Sequence, residues 1–167
     1  MKKIILLTII TAGTALSTTA FAGQGFNVTI HNNLLYPIQY KSISQDNWYH
    51  NDIPWSWKTL GAKSSSSVLY TEYDASAGCW ATGGDQITVG IESTTGTKIG
   101  FFEITDSPNI SNGIDSIGWE NINTAWQYFR PDACGWFIGI GSVSHDPTIS
   151  ATTLNTSDPN IVDVNIG

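Results

Sequence analysis

Basic residues are scarce in this chain. Seven Lys and Arg stand against fourteen Asp and Glu in 167 residues, and beyond Lys2 and Lys3 they do not cluster. Nucleic-acid binding needs grouped cations to neutralise phosphates, so no nucleic-acid partner is expected. The same deficit argues against charge-driven docking on anionic lipid. Partners should be neutral, cationic or apolar.

Long apolar runs are also missing. The longest opens the chain at Ile4–Ile10, broken by Thr8, and is far shorter than the ~20 residues of a membrane-spanning helix. Lys2 and Lys3 precede it, and Ala20-Phe21-Ala22 supplies a small-residue cleavage pattern. Together these read as a secretory signal peptide over residues 1–22. Export to the periplasm or beyond is expected, with residues 23–167 forming a single domain. That length can bury one good core. The exported part keeps Lys41, Lys58, Lys63, Lys98 and Arg130 against fourteen acidic residues, a net charge of −9 with histidines neutral.

Cysteine is limited to Cys79 and Cys134. In an exported chain the natural expectation is a disulfide between them. Closing so long a loop would stabilise the fold by roughly 4 kcal/mol in the chain-entropy picture, less any strain.

Catalytic spacing is absent. Gly139-Ile140-Gly141-Ser142-Val143 has neither the spacing nor the helix of a nucleophile elbow. His31, His50 and His145 are scattered, and no Ser–His–Asp order can be read from spacing. They read as surface or capping residues. Zinc would require His or Cys at short spacing, and no EF-hand spacing exists for calcium. Asp46, Asp52, Asp74, Asp85 and Asp115 fall in or near loops, where calcium in β-rich folds is sometimes held. No pair among the carboxylates is singled out for glycoside hydrolysis. The expectation is a non-enzyme with no cofactor and no metal. Asn27-Val28-Thr29, Asn109-Ile110-Ser111 and Asn155-Thr156-Ser157 are sequons that read as chance in a chain rich in Asn, Ser and Thr.

What the chain does have is two-residue alternation. No helical periodicity of useful length occurs. Short apolar-polar runs bounded by Gly, Asn, Ser, Asp and Pro predict strands at Phe26–Ile30, Ile38–Ile43, Ser67–Tyr73, Gln86–Glu92, Lys98–Thr105, Trp126–Phe129, Phe137–Val143 and Ile161–Ile166. Ile87, Val89 and Ile91 should face in, with Thr88 and Gly90 facing away. Thr94-Thr95-Gly96 should close a hairpin between the fourth and fifth runs. Residues 106–124 and 144–160 read as loops, and Ser64–Ser67 as a lead into a strand. The fold class expected is all-β, a single-domain antiparallel β-sandwich of about seven or eight strands.

The chain is also rich in aromatic residues. Three of its seven tryptophans fall within Trp48-Tyr49-His50-Asn51-Asp52-Ile53-Pro54-Trp55-Ser56-Trp57. Pro54 and the polar neighbours argue against a regular core strand. Such a loop is either folded back onto the core or built to touch something. Trp48, Tyr49, Trp55 and Trp57 are therefore the candidate binding residues. Exposed rings in loops serve membrane interfaces, sugar stacking, or protein hot spots. A looser second group comprises Trp119, Trp126, Tyr128, Phe129, Trp136 and Phe137. There Trp136 and Phe137 read as core.

Val28-Thr29-Ile30-His31-Asn32-Asn33, then Tyr36, Trp48 and Pro54, then Gly61-Ala62-Lys63-Ser64 leading into a strand, form one pattern. Gly96-Thr97-Lys98-Ile99-Gly100 and Asp106-Ser107-Pro108-Asn109-Ile110-Ser111-Asn112 follow. Over residues 26–117 this resembles the aegerolysin and insecticidal crystal-protein group, here without the proline of its Pro-Gly-Ser-type turn. The resemblance implies a sandwich related to cytolysins. It also implies a small acidic protein that binds lipid membranes, in some members beside a second, pore-forming partner. Three function classes follow. The first is a membrane- or cell-surface-binding protein, cytolysin-like. The second is a lectin-like carbohydrate-binding module with Trp48, Trp55 and Trp57 as platform. The third is a secreted enzyme or inhibitor.

Overall fold

The computed structural model describes residues 25–46, 48–73, 86–105, 123–129, 136–143, 147–154 and 160–167. Alternation sets the first strand. In β1 (Gly25–Asn32) Phe26, Val28, Ile30 and Asn32 are buried while the residues between them are half-buried. Eleven further strands follow: β2 (Ile38–Asp46), β3 (Trp48–Asn51), β4 (Lys58–Leu60), β5 (Ser64–Ser65), β6 (Leu69–Tyr73), β7 (Gln86–Ser93), β8 (Lys98–Thr105), β9 (Asn123–Phe129), β10 (Trp136–Ser142), β11 (Ile149–Leu154) and β12 (Asn160–Ile166). The described residues contain strands and no helix.

The strands form two six-stranded sheets. The first runs β11-β12-β1-β6-β3, with β5 added on β1, and the second runs β4-β2-β7-β8-β10-β9. In the first sheet β6 and β5 share one edge of β1. β6 covers Gly25 to Val28, and β5 covers His31 and Asn32. Between them Ser66 stands in for a strand: its N–H donates to the Ile30 carbonyl (2.8 Å) and its Oγ accepts the Ile30 N–H (3.0 Å). Apolar side chains of both sheets meet in one hydrophobic core. It includes Phe26, Val28, Ile30, Val162, Val164 and Ile166 from the first, and Tyr40, Ile87, Val89, Phe102, Ile104 and Ile138 from the second. Each fully buried aliphatic or aromatic side chain contributes about 1.5–3 kcal/mol against the unfolded chain.

The hairpin predicted at Thr94-Thr95-Gly96 is present between β7 and β8. Gly96 sits at φ +87°, a conformation that a Cβ penalises. Several expectations need correction. There are twelve strands among the described residues, more than seven or eight, because β3, β4, β5 and β11 are short edge or near-edge pieces with weak alternation. The first sheet is mixed: β1 and β12 run parallel. Trp48–Asn51 is a strand, although its segment reads as a loop, and Ile149–Leu154 is a strand within a stretch that reads as loop. Thr88 does face away from Ile87, yet it is as buried as its neighbours (0% exposed). Phe101, Glu103 and Thr105 are buried with it, so this part of the second sheet is covered on both faces. By register Phe101 lies between Gly90 and Gly141, two strand positions that carry no side chain.

Candidate functional site

The aromatic segment divides in two. Trp48, on β3, is only 6% exposed. Its indole meets Phe26 at 5.7 Å and Trp136 at 6.2 Å between ring centroids, and those two rings meet edge-on at 5.0 Å. Such tilted and edge-to-face contacts add to the stabilisation from burial. Trp48 is therefore a core residue, and it does not present a surface ring. Tyr49 lies on β3 at the register shift between Trp48 and His50. Its side chain lies outside the described structure.

After β3 the chain crosses to the second sheet through residues 52–57. Asp52 fixes the start: its N–H donates to the Tyr70 carbonyl (2.9 Å) and its carboxylate accepts the Tyr70 N–H (3.1 Å). Ile53 is fully buried as a plug, its N–H donating to Asn51 Oδ1 (2.9 Å). The Pro54 carbonyl then accepts the Ser42 N–H (2.8 Å). This prolongs the edge of β2 beyond its pairing with β4, next to the bulge between Ser42 and Ser44. The loop is thus anchored on both sheets, and what it displays is held in place. Trp55 is 55% exposed. Trp57 is half-buried, with Lys41 Nζ 4.7 Å from its ring centroid. Val68, leading into β6 beside Tyr70, is also exposed.

The open face of the first sheet is polar. His31 Nε2 lies 3.1 Å from Asp163 Oδ1, and His31 Nδ1 lies 2.7 Å from Ser65 Oγ. A serine, a histidine and an aspartate therefore do meet, across β5, β1 and β12, although no spacing in the sequence announces it. The roles of the two ring nitrogens are reversed relative to the hydrolase template, and the group lies on an open sheet face. A second histidine, His50, contacts Asp52 at 3.1 Å, and Tyr70 Oη donates to Glu72 Oε2 (2.9 Å). Each pairing joins residues two apart along the same stretch of chain.

At the end of the molecule where β1 turns into β2, Asn32 is the hub. It is 1% exposed. Its amide Nδ2 donates to the carbonyls of Tyr36 (2.9 Å) and Gly61 (2.8 Å) and lies 3.4 Å from that of Leu60. Its Oδ1 accepts the Leu34 N–H (3.1 Å). Lys63, at φ +50°, donates its N–H to the Leu34 carbonyl and its ammonium to the Asn33 carbonyl. The β1–β2 loop at Leu34 and Tyr36 and the turn at Gly61 thus converge on one side chain. Beside them is a cleft of about 430 Å³, lined by Tyr36, Pro37, Ser93, Thr94, Thr95, Thr97, Lys98, Ile99 and Pro147. Nothing in the sequence marks these residues as a site. No family model matches the chain, and no curated protein matches it.

Glu103 is the most deeply buried carboxylate described, 2% exposed. Desolvation raises its pKa above the ordinary carboxylate value, partly countered by the Thr88 hydroxyl, which donates to Oε2 at 2.9 Å. Among the described residues no group of three or more His, Cys, Asp or Glu could hold a metal ion. No described helix is long and apolar enough to cross a membrane. Residues 1–22, Cys79 and Cys134, Asp74, Asp85 and Asp115, and the sequons at Asn109 and Asn155 lie outside the described residues.

Proposed function

We propose that this is an exported β-sandwich protein that docks on a lipid membrane or cell surface through its crossing loop, in the manner of the aegerolysin group it resembles. The observation that carries the reading is Trp55. A loop pinned at Asp52, Ile53 and Pro54 holds this indole more than half exposed. Rigid presentation lowers the entropy cost of binding, and an indole suits the boundary between water and acyl chains. The strongly acidic balance of the chain fits a neutral rather than an anionic lipid surface. A three-ring sugar platform finds less support, because Trp48 is in the core and Lys41 sits over Trp57.

Sedimentation with phosphatidylcholine and sphingomyelin vesicles tests the proposal. The protein should pellet with vesicles, and Trp55→Ala should weaken binding at least about tenfold, since burying a large apolar side chain contributes about 1.5–3 kcal/mol. A folded protein that binds no lipid mixture would refute it.

A further inference from the structure

We infer that the cleft between the β1–β2 loop and the β7–β8 turn is a binding site for a neutral saccharide. This is independent of the Trp55 reading, because no residue of the crossing loop lines the cleft. Its volume, about 430 Å³, falls in the range of small-molecule sites.

The lining selects the ligand class by elimination. Among the described lining residues there is no carboxylate, the usual ligand of a hard divalent cation. Among the described lining residues Lys98 alone is charged, and a single ammonium in a chain that is acidic overall is a weak anchor for an anion. A purely apolar ligand would dehydrate a wall made of Ser93, Thr94, Thr95 and Thr97, where only the Ser93 and Thr95 hydroxyls have each other as partners. A sugar ring matches both halves of the wall. Its hydroxyls meet the turn, and its C–H face meets Tyr36 and Pro37. The Tyr36 ring is accessible for this, at 43% exposed.

Both walls are preorganised. Asn32 holds the loop through the Tyr36 carbonyl. The turn is tied by Ser93 N–H to the Thr97 carbonyl (2.8 Å), Gly96 N–H to the Ser93 carbonyl (2.9 Å) and Thr97 N–H to Ser93 Oγ (3.0 Å). Ser93 Oγ and Thr95 Oγ1 are 2.8 Å apart. Fixed walls save the ordering cost that makes most surface turns poor binders.

The test is titration of the exported chain with neutral mono- and disaccharides, followed by NMR or calorimetry. Vesicles carrying neutral glycolipids provide a second arm. Tyr36→Ala should weaken binding about tenfold, the scale of one aromatic contact. The double variant Thr94→Val, Thr97→Val keeps β-branched side chains but removes two hydroxyls, and should weaken binding by a similar factor. Thr152→Val, on β11 outside the cleft, should bind as the parent does. Binding to soluble sugar or only to glycolipid headgroups supports the site and identifies its source. No saccharide binding by the folded protein would overturn it. So would binding that survives Tyr36→Ala but is lost in Trp55→Ala. Phosphatidylcholine vesicles carry no sugar, so the Trp55 reading stands or falls separately.

Discussion

Replacing Asn32 with alanine should destabilise the protein by about 3 kcal/mol. Three good hydrogen bonds end on this buried side chain, to the Tyr36 and Gly61 carbonyls and from the Leu34 N–H. Each is worth about 1 kcal/mol net. The contact to the Leu60 carbonyl at 3.4 Å is long, and the amide has only two hydrogens to share, so it adds little. For a domain of this size 1 kcal/mol moves the melting temperature by about 2–4 °C, giving a fall of roughly 6–12 °C. Asn32→Asp should be worse, because it turns an acceptor toward two carbonyl oxygens. Asn33→Ala is the control. Asn33 is exposed, and the bonds it makes to Ile166 and Lys63 use its backbone, so its loss should stay within about 0.5 kcal/mol. Thermal unfolding followed by circular dichroism measures all three. If Asn32→Ala melts within about 2 °C of the parent, water has replaced the amide and Asn32 is not the hub argued above.

Burial raises the Glu103 pKa, so the native state holds its proton to higher pH than the unfolded chain, and stability is lost as pH rises through that raised pKa. Glu103→Gln keeps an acceptor for Thr88 and removes the charge. It should melt above the parent at pH 8 and lose that advantage near pH 4, and an equal difference at both pH values would refute the assignment. Gly96→Ala meets no atom within 4 Å but must adopt φ +87°, and should cost about 1 kcal/mol in a denaturant titration. A Cβ on Gly100 would fall 2.6 Å from Ile149 Cδ1 and closer still to the Gly141 carbonyl oxygen. Gly100→Ala should therefore part β8 from β10 and abolish soluble expression, while normal yield and melting would show that β8 can shift.

Strands with aliphatic alternation were legible from sequence. β1, β7 and β12 each repeat Ile, Val or Phe every second residue, and Gly96 marks the hairpin. β3 and β11 were not. Trp48–Asn51 is a short edge strand with no repeat. Ile149–Leu154 is an edge strand whose Ser150 and Thr152 are exposed, so its composition resembles a loop. Its run of β-branched residues was the available signal. The parallel pairing of β1 with β12 joins distant parts of the chain, and local pattern cannot encode it.

The same limit applies to the aromatic segment. Trp48 and Trp55 stand in one polar-looking segment, and composition treats them alike. What separates them is tertiary. Trp48 faces Phe26 and Trp136, two rings that come from opposite ends of the chain. Trp55 follows an anchor made by Ser42 and Pro54 that holds it away from that cluster. Asn32 shows the converse. The last residue of β1, it is the donor that fixes Tyr36 against the cleft. A polar residue that ends a strand can thus be more deeply buried than the aromatics around it. Its side chain satisfies backbone carbonyls of two separate turns, and only the fold brings those turns within its reach.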